Sequence, residues 1–371
     1  MRQLIVKPQI YRFDTCAGFN EFFKLNDRDL ILTNEFIYQP FLGPLKLSSK
    51  VFYQERYGTG EPSDEMIDKI FDAVKGTSFD RVIAIGGGSV IDIAKLFVIK
   101  DAANTLDLFE KNIPLVKEKE LIIVPTTCGT GSEATNISIA EIKAKETKMG
   151  LAVDELYADY AVIIPELLKT LPYKFFVTSS IDALIHAIES LVSPKSNCYT
   201  ELFSIKAIEM ILKGYMEILD KGQEYRNEII EEFLVASNYA GIAFANTGVG
   251  AVHALSYPLG GTYHVPHGEA NYQFFVEVFK TYNRLNPDGK IVEVNNMLAA
   301  ILKTTPDKVY AALENVLGSL LAKKPLREYG MKPEEIEAFT ESVITKQQRL
   351  LVNNYTELSR EEIKGIFQRL Y

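Results

Sequence analysis

Cysteine is scarce in this sequence of 371 residues, and Cys16, Cys128 and Cys198 lie far apart. Because the paired spacing of disulfide frameworks and zinc motifs is absent, we expect a reduced, cytoplasmic protein. The first ten residues contain no apolar core before a cleavage site, so they give no indication of a signal peptide.

An excess of positive charge is also missing, since 40 lysines and arginines stand against 49 aspartates and glutamates, a formal net charge of −9. Such a mildly acidic protein disfavours nucleic acid and anionic membranes as partners. No stretch approaches the roughly 20 apolar residues that cross a bilayer. With 47% apolar and 24% charged residues, the composition is typical of a globular protein with room for two domains.

The apolar patterns divide the chain into two parts. Before residue 173, short β-branched runs alternate with amphipathic helical segments, which predicts a parallel sheet covered on both faces. These runs are residues 29–33, 51–54, 81–85, 121–124 and 161–164. From about Tyr173 the strand signals disappear, and helical periodicity continues to the C-terminus. We therefore predict an α/β domain over residues 1–173 and an all-helical domain over residues 174–371.

Two loops rich in glycine and hydroxyl groups each follow a predicted strand. In the first, Gly86, Gly87 and Gly88 would let backbone amides approach a phosphate beside a helix N-terminus, and Ser89 could donate a further hydrogen bond. The spacing departs from the G-x-G-x-x-G fingerprint, and a tight turn that binds nothing is the alternative. The second loop, residues 124–135, is either a polar surface loop or a ligand-binding loop at the same sheet edge. Together the two loops favour dinucleotide binding.

Histidine is nearly as scarce as cysteine, and all four histidines, His186, His253, His264 and His267, lie in the second part. Asp182 precedes His186 by four residues on a predicted helix, so both side chains project from one face. A carboxylate with three imidazoles suits Fe²⁺ or Zn²⁺, and we predict a metal site formed by Asp182, His186, His253 and His267. The alternative for any single histidine is a hydrogen-bonded core or surface residue.

These segments together resemble the iron-dependent, or group III, alcohol dehydrogenase family. The resemblance is carried by residues 86–95, 125–133, 182–189 and 253–268, which follow the family's order and spacing. It implies an α/β N-terminal dinucleotide-binding domain and an all-α C-terminal domain that holds metal and substrate, with a cleft between them. Dehydroquinate synthase has a similar architecture. The resemblance also implies the same four metal ligands, with Fe²⁺ favoured over Zn²⁺.

The resemblance further implies how NAD would bind. The first loop would hold the pyrophosphate, and the second would lie near the nicotinamide and its ribose. The implied cofactor residues are Asn34 at the adenosine ribose, Gly87, Gly88 and Ser89 at the pyrophosphate, and Thr126, Thr127 and Thr130 near the nicotinamide and its ribose. Lys148 also matches a cofactor contact.

Two positions depart from the family's pattern. Tyr257 stands where most members have a histidine associated with proton handling near the substrate, and a phenol ordinarily titrates near 10. We therefore take His264 and Tyr257 as the catalytic candidates; a structural histidine is the alternative for His264. Asn34 stands where an acid often hydrogen-bonds the adenosine ribose. Since an amide does not repel a 2′-phosphate, the expected preference for NAD over NADP is weakened.

A narrower resemblance, to the family's NAD-dependent 4-hydroxybutyrate dehydrogenases, is carried by residues 182–186, 254–258, 325–331 and 347–355. It implies interconversion of 4-hydroxybutyrate and succinate semialdehyde, so the partner would be a small alcohol or hydroxy acid. The family resemblance implies a homodimer. A general alcohol or diol dehydrogenase of the same family is the nearest alternative. A lyase of the dehydroquinate-synthase type and a non-catalytic metal- and nucleotide-binding protein are the others.

Overall fold

The computed structural model describes residues 2–145 and 147–371, which form two compact units. One unit is Val6–Leu171, and the other is Pro172–Tyr371 together with the described residues up to Ile5. Ile5 exchanges two hydrogen bonds with the Asn246 side chain, at 2.8 and 3.0 Å. The predicted domain ranges 1–173 and 174–371 stay a prediction; by their contacts the described residues up to Ile5 group with the helical unit.

Eight strands lie in the described part of the first unit. They are β1 (Gln9–Arg12), β2 (Asp29–Thr33), β3 (Lys50–Tyr53), β4 (Arg81–Gly86), β5 (Glu120–Pro125), β6 (Ile137–Ile142), β7 (Thr147–Ala152) and β8 (Tyr160–Ile163). Six of them form a parallel sheet in the order β1-β8-β5-β4-β2-β3. The central strands are buried along nearly their whole length, which explains their continuous apolar sequence. Sequence analysis missed β1, an edge strand whose mostly exposed residues give no such signal.

Five α-helices accompany these strands: α1 (Cys16–Phe23), α2 (Glu35–Phe41), α3 (Asp64–Val74), α4 (Gly88–Leu96) and α5 (Thr105–Phe109). The side chain of Ser63 caps α3 by accepting from the backbone N–H of Met66. One face of α3 enters the apolar core of this unit, together with the inward side of α4. Strands β6 and β7 pair antiparallel as a separate hairpin. Glu146, which follows Lys145 in the sequence, lies outside the described residues.

The described part of the second unit contains helices and loops but no strand. Its α-helices are α6 (Tyr173–Val192), α7 (Cys198–Lys221), α8 (Ile230–Thr247), α9 (Ala251–Tyr263), α10 (His267–Leu285), α11 (Lys290–Ile301), α12 (Val309–Leu320), α13 (Glu335–Lys346), α14 (Gln348–Leu351) and α15 (Arg360–Leu370). Helix α6 packs against α7, α8 and α10, and α10 packs against α9. The predicted fold class, an α/β part followed by an all-helical part, is confirmed.

Helix α6 forms the core of the helical unit. By length and composition alone it could cross a membrane, contrary to the sequence expectation that no segment is apolar enough. However, 89% of its most apolar stretch is buried inside the protein. Long apolar helices of this kind also occur in the cores of globular proteins.

Candidate metal centre and cofactor loops

Three ionisable side chains share one buried face of α6. Asp182, His186 and Glu189 follow one another at spacings of four and three residues, which brings helical side chains onto the same side. Their exposed fractions are only 2%, 4% and 2%. Burial of charged or polar groups is unfavourable unless they find partners, so this face indicates a site rather than ordinary packing.

The four residues predicted as metal ligands converge. His253 comes from α9 and His267 begins α10, and one ligand atom from each of the four lies within 4.8 Å of every other. The Nε2 atoms of His253 and His186 are 2.9 Å apart, and Asp182 Oδ1 lies 3.7 Å from His253 Nε2 and 3.9 Å from His267 Nε2.

These separations fit a divalent cation. Ligand atoms bonded tetrahedrally at about 2.0–2.1 Å are about 3.3 Å from one another. Two facing imidazole nitrogens also need a proton or a cation between them, because each presents a lone pair when its Nδ1 carries the proton. One carboxylate and three imidazoles suit Fe²⁺ or Zn²⁺ better than Mg²⁺ or Ca²⁺.

Two further residues, which sequence analysis missed, orient this cluster. Glu189 Oε2 accepts a hydrogen bond of 2.7 Å from His253 Nδ1, and its Oε1 accepts one of 2.8 Å from the Val252 backbone N–H. Asn271 Nδ2 donates to Asp182 Oδ1 at 2.7 Å and lies 3.1 Å from His267 Nε2. Glu189 follows His186 by three residues and Asn271 follows His267 by four, so helical spacing could have revealed both.

The charge of the cluster is also set by its surroundings. Burial by itself raises the pKa of Asp182, but the three nearby imidazoles and the hydrogen bond from Asn271 outweigh burial and leave the pKa below its ordinary value. Asp182 is therefore held as a carboxylate, the form that binds a metal.

A close approach of two helices places His267. A Cβ atom added to Gly268 would lie 2.5 Å from the backbone oxygen of Thr178 and 3.3 Å from the Asp182 Cβ. Only glycine allows α10 to begin this close to α6. The contact brings His267 beside Asp182.

The two catalytic candidates occupy different surroundings. Tyr257 lies on α9, one turn after His253, with its ring centre 6.3 Å from that of His267. His264 is an exposed residue that ends α9 in the left-handed conformation, with φ of 53°. Tyr257 thus lies beside the metal cluster, whereas His264 does not join the four converging residues.

The two predicted cofactor loops lie against each other in the α/β unit. The backbone N–H of Thr126 donates to Gly86 O at 3.0 Å, and Gly87 is the N-cap of α4. A Cβ added to Gly87 would lie 3.4 Å from the Thr127 side chain, and one added to Gly88 would lie 2.9 Å from that of Thr130. The distance at Gly87 is an ordinary contact, whereas the close approach at Gly88 leaves no room for a side chain beside Thr130.

The remaining predicted cofactor residues lie at two places. Ser89 donates to Gly60 O at 3.3 Å. Glu61, which follows Gly60 in the chain, forms an ion pair with Lys148 on β7. These contacts connect the glycine loop with the β6–β7 hairpin through residues 60–61. Asn34 follows β2 and donates hydrogen bonds to Gln54 and Glu55.

A buried lysine that sequence analysis did not single out anchors the second loop. Lys95 on α4 donates to Ser132 Oγ, Thr135 Oγ1 and Ile137 O at 2.7, 2.9 and 2.7 Å. Burial lowers its pKa to about 8, although Asp92 and Glu133 act in the opposite direction. Three hydrogen bonds from one ammonium group fix the end of this loop against α4.

Comparison with known proteins agrees with this geometry. Residues 10–165 match the family model "Iron-containing alcohol dehydrogenase", and residues 176–371 match "Fe-containing alcohol dehydrogenase family, C-terminal". The chain is 60% identical over 371 residues to the 4-hydroxybutyrate dehydrogenase of Clostridium kluyveri, covering 100% of both chains. It is 30% identical over 321 residues to long-chain-alcohol dehydrogenase 1 of Geobacillus thermodenitrificans, covering 84% of this chain and 80% of that one.

A solved structure shows the same fold. The crystal structure of sulfoacetaldehyde reductase from Bifidobacterium kashiwanohense in complex with NAD⁺ matches with a TM-score of 0.85 at 22% identity, covering 100% of this chain and 98% of that one. The chain belongs to the iron-containing alcohol dehydrogenase family. The predicted family and enzyme class, a metal-containing alcohol dehydrogenase, are thereby confirmed.

Proposed function

We propose that this protein is an NAD-dependent dehydrogenase that interconverts 4-hydroxybutyrate and succinate semialdehyde. The observation that carries the reaction class is the buried convergence of Asp182, His186, His253 and His267. The substrate is supported by the 60% identity to the Clostridium kluyveri relative over the full length of both chains. In the oxidative direction the alcohol carbon loses a hydride to NAD⁺ and the hydroxyl loses a proton, which yields aldehyde, NADH and H⁺.

In this proposal Asp182, His186, His253 and His267 hold one divalent metal, Fe²⁺ or Zn²⁺. When bound, the metal supplies a Lewis acid that lowers the pKa of the substrate hydroxyl. Glu189 keeps His253 protonated on Nδ1, so that Nε2 points its lone pair toward the other ligands. Asn271 fixes the orientation of Asp182 through the hydrogen bond to Oδ1.

The nucleotide would bind at the two loops of the α/β unit. When bound, NAD⁺ supplies the hydride acceptor. Gly87, Gly88 and Ser89 would contact the pyrophosphate through free backbone N–H groups at the start of α4 and the serine hydroxyl. The implied contacts beyond the pyrophosphate are Asn34 at the adenosine ribose and Thr126, Thr127 and Thr130 near the nicotinamide and its ribose. Lys148 is implied as a further cofactor contact.

The residue that handles the hydroxyl proton is a separate question. Tyr257, with its ring 6.3 Å from that of His267, is well placed to hydrogen-bond a substrate near the metal ligands. His264 stays the second candidate, and its exposed position at the end of α9 would suit proton exchange with water. Separate Tyr257→Phe and His264→Ala variants would assign the step by their pH–rate profiles.

The test of the proposed function combines metal analysis with the absorbance of NADH. We expect about one equivalent of iron or zinc per chain, and NADH formation with 4-hydroxybutyrate at a kcat/KM well above that with butan-1-ol. His267→Ala should lose both metal and activity. Equal kcat/KM values for the two alcohols would refute the hydroxy-acid substrate. A reaction that requires NAD⁺ but accumulates no NADH would indicate a lyase.

We further propose a cytoplasmic homodimer. The three cysteines are free thiols, as expected in a reducing compartment. The dimer follows from the family resemblance alone, and sedimentation equilibrium would measure the mass in solution. A monomer at micromolar concentration would contradict it.

A further inference from the structure

Strand β2 is followed by Asn34 and not by an acidic residue that could accept a hydrogen bond from the ribose of a bound nucleotide. Strand β2 lies between β3 and β4, and Thr33 is paired with Tyr53 on one side and Ile85 on the other. The residues after these three strands therefore begin at the same edge of the sheet. In dinucleotide-binding folds, the strand beside the glycine loop often ends in an acid that accepts from the ribose 2′-hydroxyl.

A carboxylate reaches the same place from the neighbouring strand. Asn34 Nδ2 donates to Glu55 Oε2 at 2.9 Å and to Gln54 Oε1 at 3.2 Å. The Gln54 amide is itself oriented, because its Nε2 donates to Gly58 O at 3.0 Å. Both hydrogens of the Asn34 amide are thus committed to acceptors within the protein. Asn34 therefore orients the Glu55 carboxylate and does not itself act as the acceptor for the ribose hydroxyl.

Glu55 is also fixed through its second oxygen. Its Oε1 accepts a hydrogen bond of 2.6 Å from the backbone N–H of Glu35, and each carboxylate oxygen retains a lone pair for a further donor. Its side chain is half-buried, so it is open to a ligand on one side. The carboxylate is therefore oriented in advance, as a group that recognises a hydroxyl should be.

The nearby cation does not cancel this charge. Arg56 is exposed, pairs with Glu35 at 3.0 Å, and lies over the Tyr53 ring with its guanidinium carbon 4.6 Å from the ring centre. Glu35, Glu55 and Arg56 together carry one net negative charge. An arginine near the ribose can accept a 2′-phosphate in NADP-binding sites, but here the guanidinium is paired with Glu35.

We propose that Glu55, at the end of β3, supplies the missing acid and sets a preference for NAD over NADP. The inference rests on the proposed function, since it requires the nucleotide to bind at this sheet edge. A ribose 2′-hydroxyl can donate to the Glu55 carboxylate, whereas a 2′-phosphate brings negative charge beside it. One pair of like charges about 6 Å apart at an effective dielectric constant of about 40 changes affinity by about tenfold.

The test measures binding by titration calorimetry rather than turnover, with ADP-ribose and 2′-phospho-ADP-ribose as probes. We expect the wild-type protein to bind ADP-ribose more tightly, by about tenfold or more. Glu55→Gln should lower this ratio by about tenfold. Glu21→Gln, which removes one exposed charge from α1, is the matched control and should leave the ratio unchanged.

A second variant relocates the acid. Asn34→Asp combined with Glu55→Gln moves the carboxylate from residue 55 to residue 34 and should restore most of the lost preference. It also keeps the test valid if the single variant is unstable. An unchanged ratio in Glu55→Gln, with ADP-ribose still bound, would overturn this inference alone. A wild-type protein that binds neither probe would overturn the proposed NAD dependence together with it.

Discussion

Glu189→Gln tests whether the buried carboxylate beside His253 tunes the metal centre. The wild-type side chain accepts two hydrogen bonds, from His253 Nδ1 at 2.7 Å and from the Val252 N–H at 2.8 Å. Glutamine has nearly the same shape but only one oxygen. Metal binding at His253 Nε2 requires the proton to be on Nδ1. In that state the NH₂ group of glutamine meets an N–H donor whichever way its amide faces, so one of the two hydrogen bonds is lost.

The expected loss of metal affinity follows from the role of this contact. Partners that fix the tautomer of a metal-binding histidine typically contribute 10–100-fold to affinity, or about 1.4–2.8 kcal/mol. Glu189 is only 2% exposed, so water cannot replace the lost acceptor.

Competition with a chelator of known affinity would measure the Zn²⁺ dissociation constant of the wild-type and variant proteins. Glu293→Gln, at a side chain that is 70% exposed, is a control that should bind zinc as the wild type does. Circular dichroism would establish that Glu189→Gln is folded. If the folded variant binds zinc with wild-type affinity, the hydrogen bond to His253 does not tune the site.

Three further predictions follow from the packing. Gly268→Ala should weaken zinc binding and lower the free energy of unfolding by about 1–3 kcal/mol, because the new Cβ would lie 2.5 Å from Thr178 O. Gly261→Ala is the control, since a Cβ at Gly261 would meet open space. Equal effects of the two substitutions would contradict the argument that α10 and α6 approach closely at Gly268. At pH 8 a chromogenic disulfide reagent should modify only the exposed Cys198 in the native protein, because Cys16 and Cys128 are buried. Burial, with the nearby Glu166, also raises the pKa of Cys16 to about 12, which keeps it a thiol. A second thiol that reacts before unfolding would refute this prediction. The pKa of Lys95 is about 8 in the folded protein and 10.5 for the free side chain, so between these pH values unfolding takes up a proton. In denaturant titrations the free energy of unfolding of the wild type, relative to Lys95→Met, should therefore rise from pH 8 to pH 10. A difference that stays constant over this range would contradict the lowered pKa.

Much of the fold could be predicted because its signals are local. The predicted runs at residues 29–33 and 81–85 fall on β2 and β4, since fully buried strands need continuous apolar sequence. The change of pattern at Tyr173 coincides with the start of α6. Strand β1 escaped prediction because an exposed edge strand has no such requirement. Sequence analysis overlooked that α6 is long and apolar enough to cross a membrane, and only the structure shows that 89% of its most apolar stretch is buried.

The candidate site was predictable only in part. Asp182 and His186 are four residues apart, so helix geometry alone places them together. The sequence thus determined the ligand types and one half of their arrangement. The meeting of α6 with α9 and α10 depends on packing between distant segments, such as the close approach at Gly268.

Tertiary structure alone decided the partners of these groups. Asn271 lies 89 residues from Asp182 along the chain, and Glu55 lies 21 residues from Asn34 on a neighbouring strand. Helical and strand periodicity describe which way a side chain faces but not what it meets across the fold. The sequence therefore determined which groups face inward, and the packing of separate elements decided which of them form hydrogen bonds.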